Sequence, residues 1–75
     1  MIPGIKVKLT AKRTASNRTK NRIREHGPFF VVKAAEGRHI PGLKDLLCIL
    51  VRPFDESDDW LGWMPISEME IEEVV

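Results

Sequence analysis

The apolar residues of this 75-residue chain fall into five short runs, separated by segments rich in charged and turn-forming residues. The first run alternates apolar residues with lysines, which is the period of a strand with one buried face. The second is rich in Val and Phe, and the third is apolar on both faces. These patterns predict five short strands over residues 5–9, 29–35, 45–52, 60–64 and 69–74. The chain is too small for two cores, so we predict a single domain over residues 1–75. The five short strands predict that this domain is mainly β and folds as a small antiparallel barrel.

The connection between the first two strands, residues 10–28, is long and polar. Ser16 or Asn17 can cap the start of a helix there, and Gly27 followed by Pro28 is a typical end. Within the helical part only Ile23 is apolar, so a helix needs a contact between Ile23 and the rest of the fold. We therefore predict a long basic first loop that can hold one short helix.

The same connection carries six of the twelve Lys and Arg residues but only one acid, Glu25. Arginines outnumber lysines there by four to two, which suits bidentate contacts with phosphate. Asn17, Thr19 and Asn21 add further donors. In a helix, like charges four residues apart repel each other, and an anionic partner would relieve that repulsion. The predicted nucleic-acid contacts are Lys12, Arg13, Arg18, Lys20, Arg22 and Arg24.

The net charge of +1 conceals a strong separation of charge along the chain. Residues 1–44 hold eleven Lys and Arg against two acids, a net charge of +9. Residues 45–75 hold one Arg against nine acids, a net charge of −8. Such a division is typical of a basic surface that binds a polyanion, and equally of two halves that neutralise each other. Both interpretations stay open at this point.

Residues 62–70, Gly-Trp-Met-Pro-Ile-Ser-Glu-Met-Glu, resemble the end of Src-homology-3-like barrels. In those barrels a glycine, two apolar residues and a proline lead into one 3₁₀ turn and a final strand. The resemblance implies a five-stranded antiparallel barrel in which residues 10–28 form the long first loop. This chain has no tyrosine and its long loop is basic, so a proline-rich peptide ligand is not expected.

A second resemblance lies in the basic loop. The run Asn-Arg-Thr-Lys-Asn-Arg at 17–22, followed by His-Gly-Pro at 26–28, is similar to small uncharacterised bacterial or phage-encoded proteins. That resemblance implies no particular activity.

The apolar strands support a second hypothesis. Residues 29–35 and 46–51 are apolar on both faces, so part of their surface needs a cover: the loop through Ile23, a second copy of the chain, or a protein partner. Trp60 and Trp63 lie three residues apart on one predicted strand and so face opposite sides, with Trp60 expected to be the more exposed. The alternative function is therefore a protein-protein interaction module or homodimer, with the basic loop docked on its own acidic half. Its predicted contact residues are Trp60, Leu47 and Ile49.

The remaining candidates for catalytic or metal-binding residues do not have the spacing that those functions require. Asp55, Ser57 and Asp59 follow the first spacings of a calcium-binding loop, but Trp60 stands where that loop needs glycine. Cys48 is expected to be a buried, inert thiol. The two histidines, at positions 26 and 39, have no acid at a spacing typical of a general base or a zinc site. We expect no enzyme activity, no catalytic residue, no metal, no cofactor and no small-molecule substrate.

The hydropathy of the chain also bears on the localisation of the protein. Its longest unbroken apolar run, residues 46–51, is far too short to span a bilayer, and the N-terminal residues have no apolar core of signal-peptide length. The lone cysteine excludes an internal disulfide. We expect a soluble, cytoplasmic protein without membrane contact.

Overall fold

The structure, a computed structural model, describes residues 4–38 and 46–74. Five strands in this part form one antiparallel sheet in the order β4-β3-β2-β1-β5. The elements follow the chain as β1 (Lys6–Ala11), α1 (Asn17–His26), β2 (Phe29–Arg38), β3 (Leu46–Pro53), β4 (Gly62–Pro65), a 3₁₀ turn (Ile66–Glu68) and β5 (Met69–Glu73). The prediction of a mainly β chain with one short helix in its first long connection is confirmed for these residues.

The sheet is open in the part of the chain that the structure describes. β4 and β5 lie at its two edges, and β2 links the halves by pairing with β1 on one side and β3 on the other. The register between β2 and β3 shifts between Val32 and Ala34, an irregularity of the kind that bends a strand. Closure of the sheet into a barrel stays a prediction.

The core lies on one face of this sheet. In β1, Val7 and Leu9 are buried while Lys6 and Lys8 lie on the other face, as the alternation of residue types predicts. One interior cluster collects side chains from all five strands: Val7, Leu9, Phe30, Val32, Ile49, Val51, Met64 and Met69.

The predicted partner-binding residues of β3 separate in the structure. Ile49 has no exposed area and belongs to the core, so its assignment to a partner-binding surface is wrong. Val32 and Val51, which belong to the two predicted strands with apolar residues on both faces, also lie in the core. Leu47 is 56% exposed. Cys48 is buried, as expected.

The boundaries of several strands differ from the sequence prediction. β1 runs to Ala11 rather than ending at residue 9. β2 runs to Arg38 rather than ending at residue 35, and residues 39–45, which include His39, lie outside the described residues. β4 begins at Gly62 rather than at Trp60. The backbone N–H of Trp60 donates to Asp58 Oδ1 at 3.1 Å. This bond to a nearby side chain takes the place of a hydrogen bond to the neighbouring strand, so Trp60 lies outside β4.

Helix α1 has the predicted start and end. Ser16 is the N-cap, and its Oγ accepts a long, 3.4 Å hydrogen bond from the Thr19 N–H. The Gly27 N–H donates to the Ile23 carbonyl at 2.8 Å, and the Gly27–Pro28 peptide bond is cis. The Ile23 side chain packs against the core cluster, as predicted. Neither α1 nor the 3₁₀ turn has the length and apolar character to cross a membrane, and no other helix is present in the described ranges.

Candidate nucleic-acid interface

The C-terminal end of α1 is held by a histidine and a tryptophan that are distant in sequence. The imidazole of His26 stacks on the indole of Trp60, with ring centroids 4.5 Å apart and planes 5° from parallel. His26 Nδ1 lies 2.6 Å from Asp58 Oδ2. Because the other oxygen of Asp58 accepts the backbone N–H of Trp60, one carboxylate binds both the His26 imidazole and the Trp60 backbone. The helix end is thereby fixed to the segment that precedes β4.

Trp60 connects this contact to the core. The Trp60 and Phe30 rings pack edge to face, with their centroids 6.4 Å apart. The guanidinium carbon of Arg22 lies 5.3 Å from the centroid of the Trp60 ring. Both tryptophans are half-buried, so Trp60 does not stand out as the exposed one. The Trp60 indole is in contact with His26, Arg22 and Phe30, and its role as a partner contact stays a prediction.

The N-terminal end of α1 is held by a second carboxylate. Glu68, in the 3₁₀ turn, accepts a short hydrogen bond from the Ser16 N–H, and its own backbone carbonyl accepts from the Lys12 N–H at 2.8 Å. Thr19 is 3% exposed, and its hydroxyl faces Ser16 and Glu68. Thr19 was predicted to be an extra donor to phosphate, but burial removes it from that role.

These contacts change the acidity of both carboxyl groups. The hydrogen bond from His26, and then the one from the Trp60 N–H, hold the pKa of Asp58 below its ordinary value of 3.8. The backbone N–H of Ser16, with smaller contributions from the Ser16 and Thr19 hydroxyls, lowers the pKa of Glu68 from 4.5. Both groups are stabilised as carboxylates by the helix that they hold.

The acidic turn before Trp60 is organised by its own side chains. Asp55 Oδ1 accepts hydrogen bonds from the Ser57 N–H at 2.9 Å and the Ser57 Oγ at 2.7 Å, and the pKa of Asp55 is lowered by them. Within residues 4–38 and 46–74, no three His, Cys, Asp or Glu side chains come together in a geometry that could hold a metal ion.

Four of the six predicted nucleic-acid contacts are exposed in the structure. Lys12, Arg13, Arg18 and Arg24 are exposed, and Lys20 and Arg22 are half-buried. The Lys20 ammonium donates to the backbone carbonyl of Arg13 at 3.1 Å. Among the described side chains, none of the six basic groups forms an ion pair; those of the helix belong to His26, which meets Asp58 and, at 3.7 Å, Glu25.

The helical spacing places the basic groups on both sides of an exposed crest. Thr19, Ile23 and His26 form the buried side of α1, and Asn17 and Asn21 lie opposite. One flank carries Arg18 and Arg22, and the other carries Lys20 and Arg24. An open depression of about 310 Å³ lies on the first flank, lined by Arg18, Asn21, Arg22 and Glu25. The helix therefore presents two basic edges rather than one continuous patch.

Comparison with protein-family models, with curated proteins and with solved structures finds no match. The arrangement of the site therefore carries the functional argument.

The pairing of His26 with Asp58 was not predicted from the sequence. The two residues lie 32 positions apart, so no spacing near either histidine indicates the pair. The available signal was indirect: a histidine at a predicted helix end and an aspartate-rich turn beside a tryptophan.

Proposed function

We propose that this chain is a non-catalytic binding module that contacts nucleic-acid phosphates through its basic first loop. The contact residues are Lys12, Arg13, Arg18, Lys20, Arg22 and Arg24. The observation that carries the proposal is how the two charged halves meet. The acidic half holds α1 through His26 and through backbone and hydroxyl groups, while the six basic side chains have no carboxylate partner among the described residues.

Arginines on a fixed helix, without a carboxylate partner among the described residues, suit a phosphate ligand. The guanidinium group offers a rigid fork of donors that matches two phosphate oxygens. Since α1 is fixed at Ser16, Ile23 and His26, the backbone positions of its arginines are set before a ligand arrives. Phosphate contacts carry no base information, so the binding is expected to be insensitive to sequence and sensitive to salt.

The second candidate is a protein-protein interaction module or homodimer. One observation favours it: Leu47 is 56% exposed on β3, the strand that supplies Ile49 and Val51 to the core. The acidic half also docks on the basic loop, as that hypothesis requires. However, Trp60 and Ile49, its other predicted contacts, are engaged inside the chain. In the phosphate-binding proposal four of the six contact residues are exposed, and we favour it for that reason.

The fold proposed with this function is a Src-homology-3-like barrel. Its support is the strand order, the shared strand β2, and the 3₁₀ turn Ile66–Glu68 between β4 and β5. A barrel of this kind would carry the basic loop on its rim as a preformed binding element.

The proposal is tested by the salt dependence of binding to random-sequence DNA and RNA. If all six groups contact duplex phosphates, the plot of log affinity against log salt has a slope of about −5. The double variant Arg18→Gln/Arg24→Gln is expected to weaken binding evenly across sequences and to reduce the slope by about 1.8. Lys33→Gln, which removes an exposed cation from β2, is the control and leaves affinity and slope unchanged. Absence of binding at low salt, or equal losses in test and control, would overturn the proposal.

A further inference from the structure

Two phenylalanines lie side by side on the face of the sheet that points away from the core. Phe30 and Pro53 are buried, so the adjacent Phe29 and Phe54 point to the opposite face, where they are 38% and 50% exposed. The Phe54 N–H donates to the Phe29 carbonyl at 3.0 Å, which continues the β2–β3 pairing beyond the end of β3. The two rings therefore belong to one ordered surface.

Cations are interleaved with these rings. The Lys6 ammonium lies 4.8 Å from the Phe29 centroid and 3.9 Å from that of Phe54. Lys8 is exposed and stands opposite Phe29 in the β1–β2 register. Arg52 stands opposite Val31 in the β2–β3 register. We name this surface the cation–aromatic strip: Lys6, Lys8, Phe29, Arg52 and Phe54.

We propose that the cation–aromatic strip is a base-stacking site for single-stranded nucleic acid, an inference that rests on the proposed function. Exposed aromatic rings beside cations are the two components with which proteins hold single strands without reading their sequence. Stacking of a base on an aromatic ring is a stronger contact than an exposed cation–π pair. A base that stacks on Phe54 therefore displaces the Lys6 ammonium, which then binds the neighbouring phosphate.

The carboxylates around the cation–aromatic strip favour single-stranded nucleic acid over a duplex. Glu72 stands opposite Lys8 on β5, at one side of the strip, and Asp55 follows Phe54 at the other. Asp55 is turned into its own loop by two hydrogen bonds from Ser57. A duplex is wide enough to bring its second row of phosphates toward these acids, and its bases are already stacked on one another. A single strand avoids both costs.

The test compares Phe54→Ser with Leu61→Ser, which removes an equally exposed apolar side chain, 55% against 50%, from a position outside the strip. Fluorescein-labelled (dT)₁₂, (rU)₁₂ and a 12-base-pair duplex are titrated at two salt concentrations. Phe54→Ser is expected to weaken binding of both single strands by about five- to a hundredfold, with the salt slope and the duplex affinity unchanged. Leu61→Ser is expected to bind like the wild type, and thermal melts show whether each variant is folded.

The outcomes separate this inference from the proposed function. If the wild-type chain binds single strands and Phe54→Ser binds them equally well, the stacking site is wrong and the phosphate contacts of α1 stand. If the two serine variants lose affinity equally, or the loss extends equally to the duplex, the strip has no stacking role. If the wild type binds none of the three oligonucleotides, both proposals fail.

Discussion

At the scale of single residues, the contact between Trp60 and Gly62 decides how the helix meets the sheet. A Cβ atom placed on Gly62 would lie 2.4 Å from the Trp60 Cζ2 atom, closer than any side chain tolerates. The glycine is therefore needed for the close approach of the indole. The position of that indole in turn sets the position of His26.

The first prediction at this scale concerns Gly62→Ala. The added methyl group forces the indole away from β4 and away from the His26 ring, a case of overpacking that costs about 1–3 kcal/mol. The free energy of unfolding in urea measures the loss. Leu61→Ala, at the exposed neighbouring position, is the control and is expected to stay within about 0.5 kcal/mol of the wild type. If Gly62→Ala is as stable as the wild type, the indole has another position available and the contact is not decisive.

At the scale of elements, α1 is a helix that the fold holds in place. Its ten residues are polar apart from Ile23, and a helix of that length and composition is not stable in isolation. The Ser16 cap contributes only a long hydrogen bond. The packing of Ile23, together with the contacts of Glu68 and Asp58, must supply the rest.

The prediction for this element is that Ile23→Ala destabilises the protein by about 1–2 kcal/mol. That is below the cost for a fully buried isoleucine, because Ile23 is half-buried. The unfolding free energy is followed by circular dichroism at 222 nm. Arg24→Ala changes the next, exposed residue and is expected to have an effect below about 0.5 kcal/mol. Equal stability of the two variants would show that the carboxylate contacts alone hold the helix.

The elements also show what could be predicted from the sequence. Local signals were sufficient to predict the start and end of α1, because Ser16, Gly27 and Pro28 act on their immediate neighbours. They were also sufficient to predict the buried face of β1, because alternation is a property of adjacent residues. The start of β4 was predicted two residues early, since the Asp58 side chain competes with the ladder for the Trp60 N–H. The contacts of His26 and Ser16 join residues 32 and 52 positions apart. Such contacts depend on how the sheet is assembled, and no local pattern contains that information.

At the scale of the whole molecule, the two charged halves of the sequence are interleaved. β1 and β5 are neighbours, with Lys8 opposite Glu72, and the helix of the basic half rests on Glu68 and Asp58 of the acidic half. The acids that touch the helix bind its backbone, its hydroxyls and its histidine. This division of contacts explains how a chain with a net charge of only +1 presents helix arginines that have no carboxylate partner among the described residues.

Because two carboxylates join the halves, the stability of the molecule is expected to fall in acid. Both Asp58 and Glu68 have a folded-state pKa below the ordinary values of 3.8 and 4.5. A carboxyl group with a depressed pKa stabilises the folded state fully above its unfolded pKa, and that contribution is lost as pH falls through the folded pKa. The loss should therefore begin below about pH 4.5 and continue as each carboxylate takes up a proton. Urea unfolding at pH 7, 5, 4 and 3 measures it.

The variant Asp58→Asn/Glu68→Gln identifies the groups responsible. It keeps an oxygen acceptor at each site but removes the charge, so it is expected to be less stable than the wild type at pH 7 and to lose less stability on acidification. The two curves should converge at low pH, where the wild-type carboxyls are protonated. Glu56→Gln, in the same acidic turn and without a hydrogen-bond partner among the described residues, is expected to follow the wild-type curve. If the double variant and the wild type lose stability in parallel between pH 5 and pH 3, the acid sensitivity comes from other carboxyls such as Asp55, and the charges of Asp58 and Glu68 do not stabilise the contact with the helix.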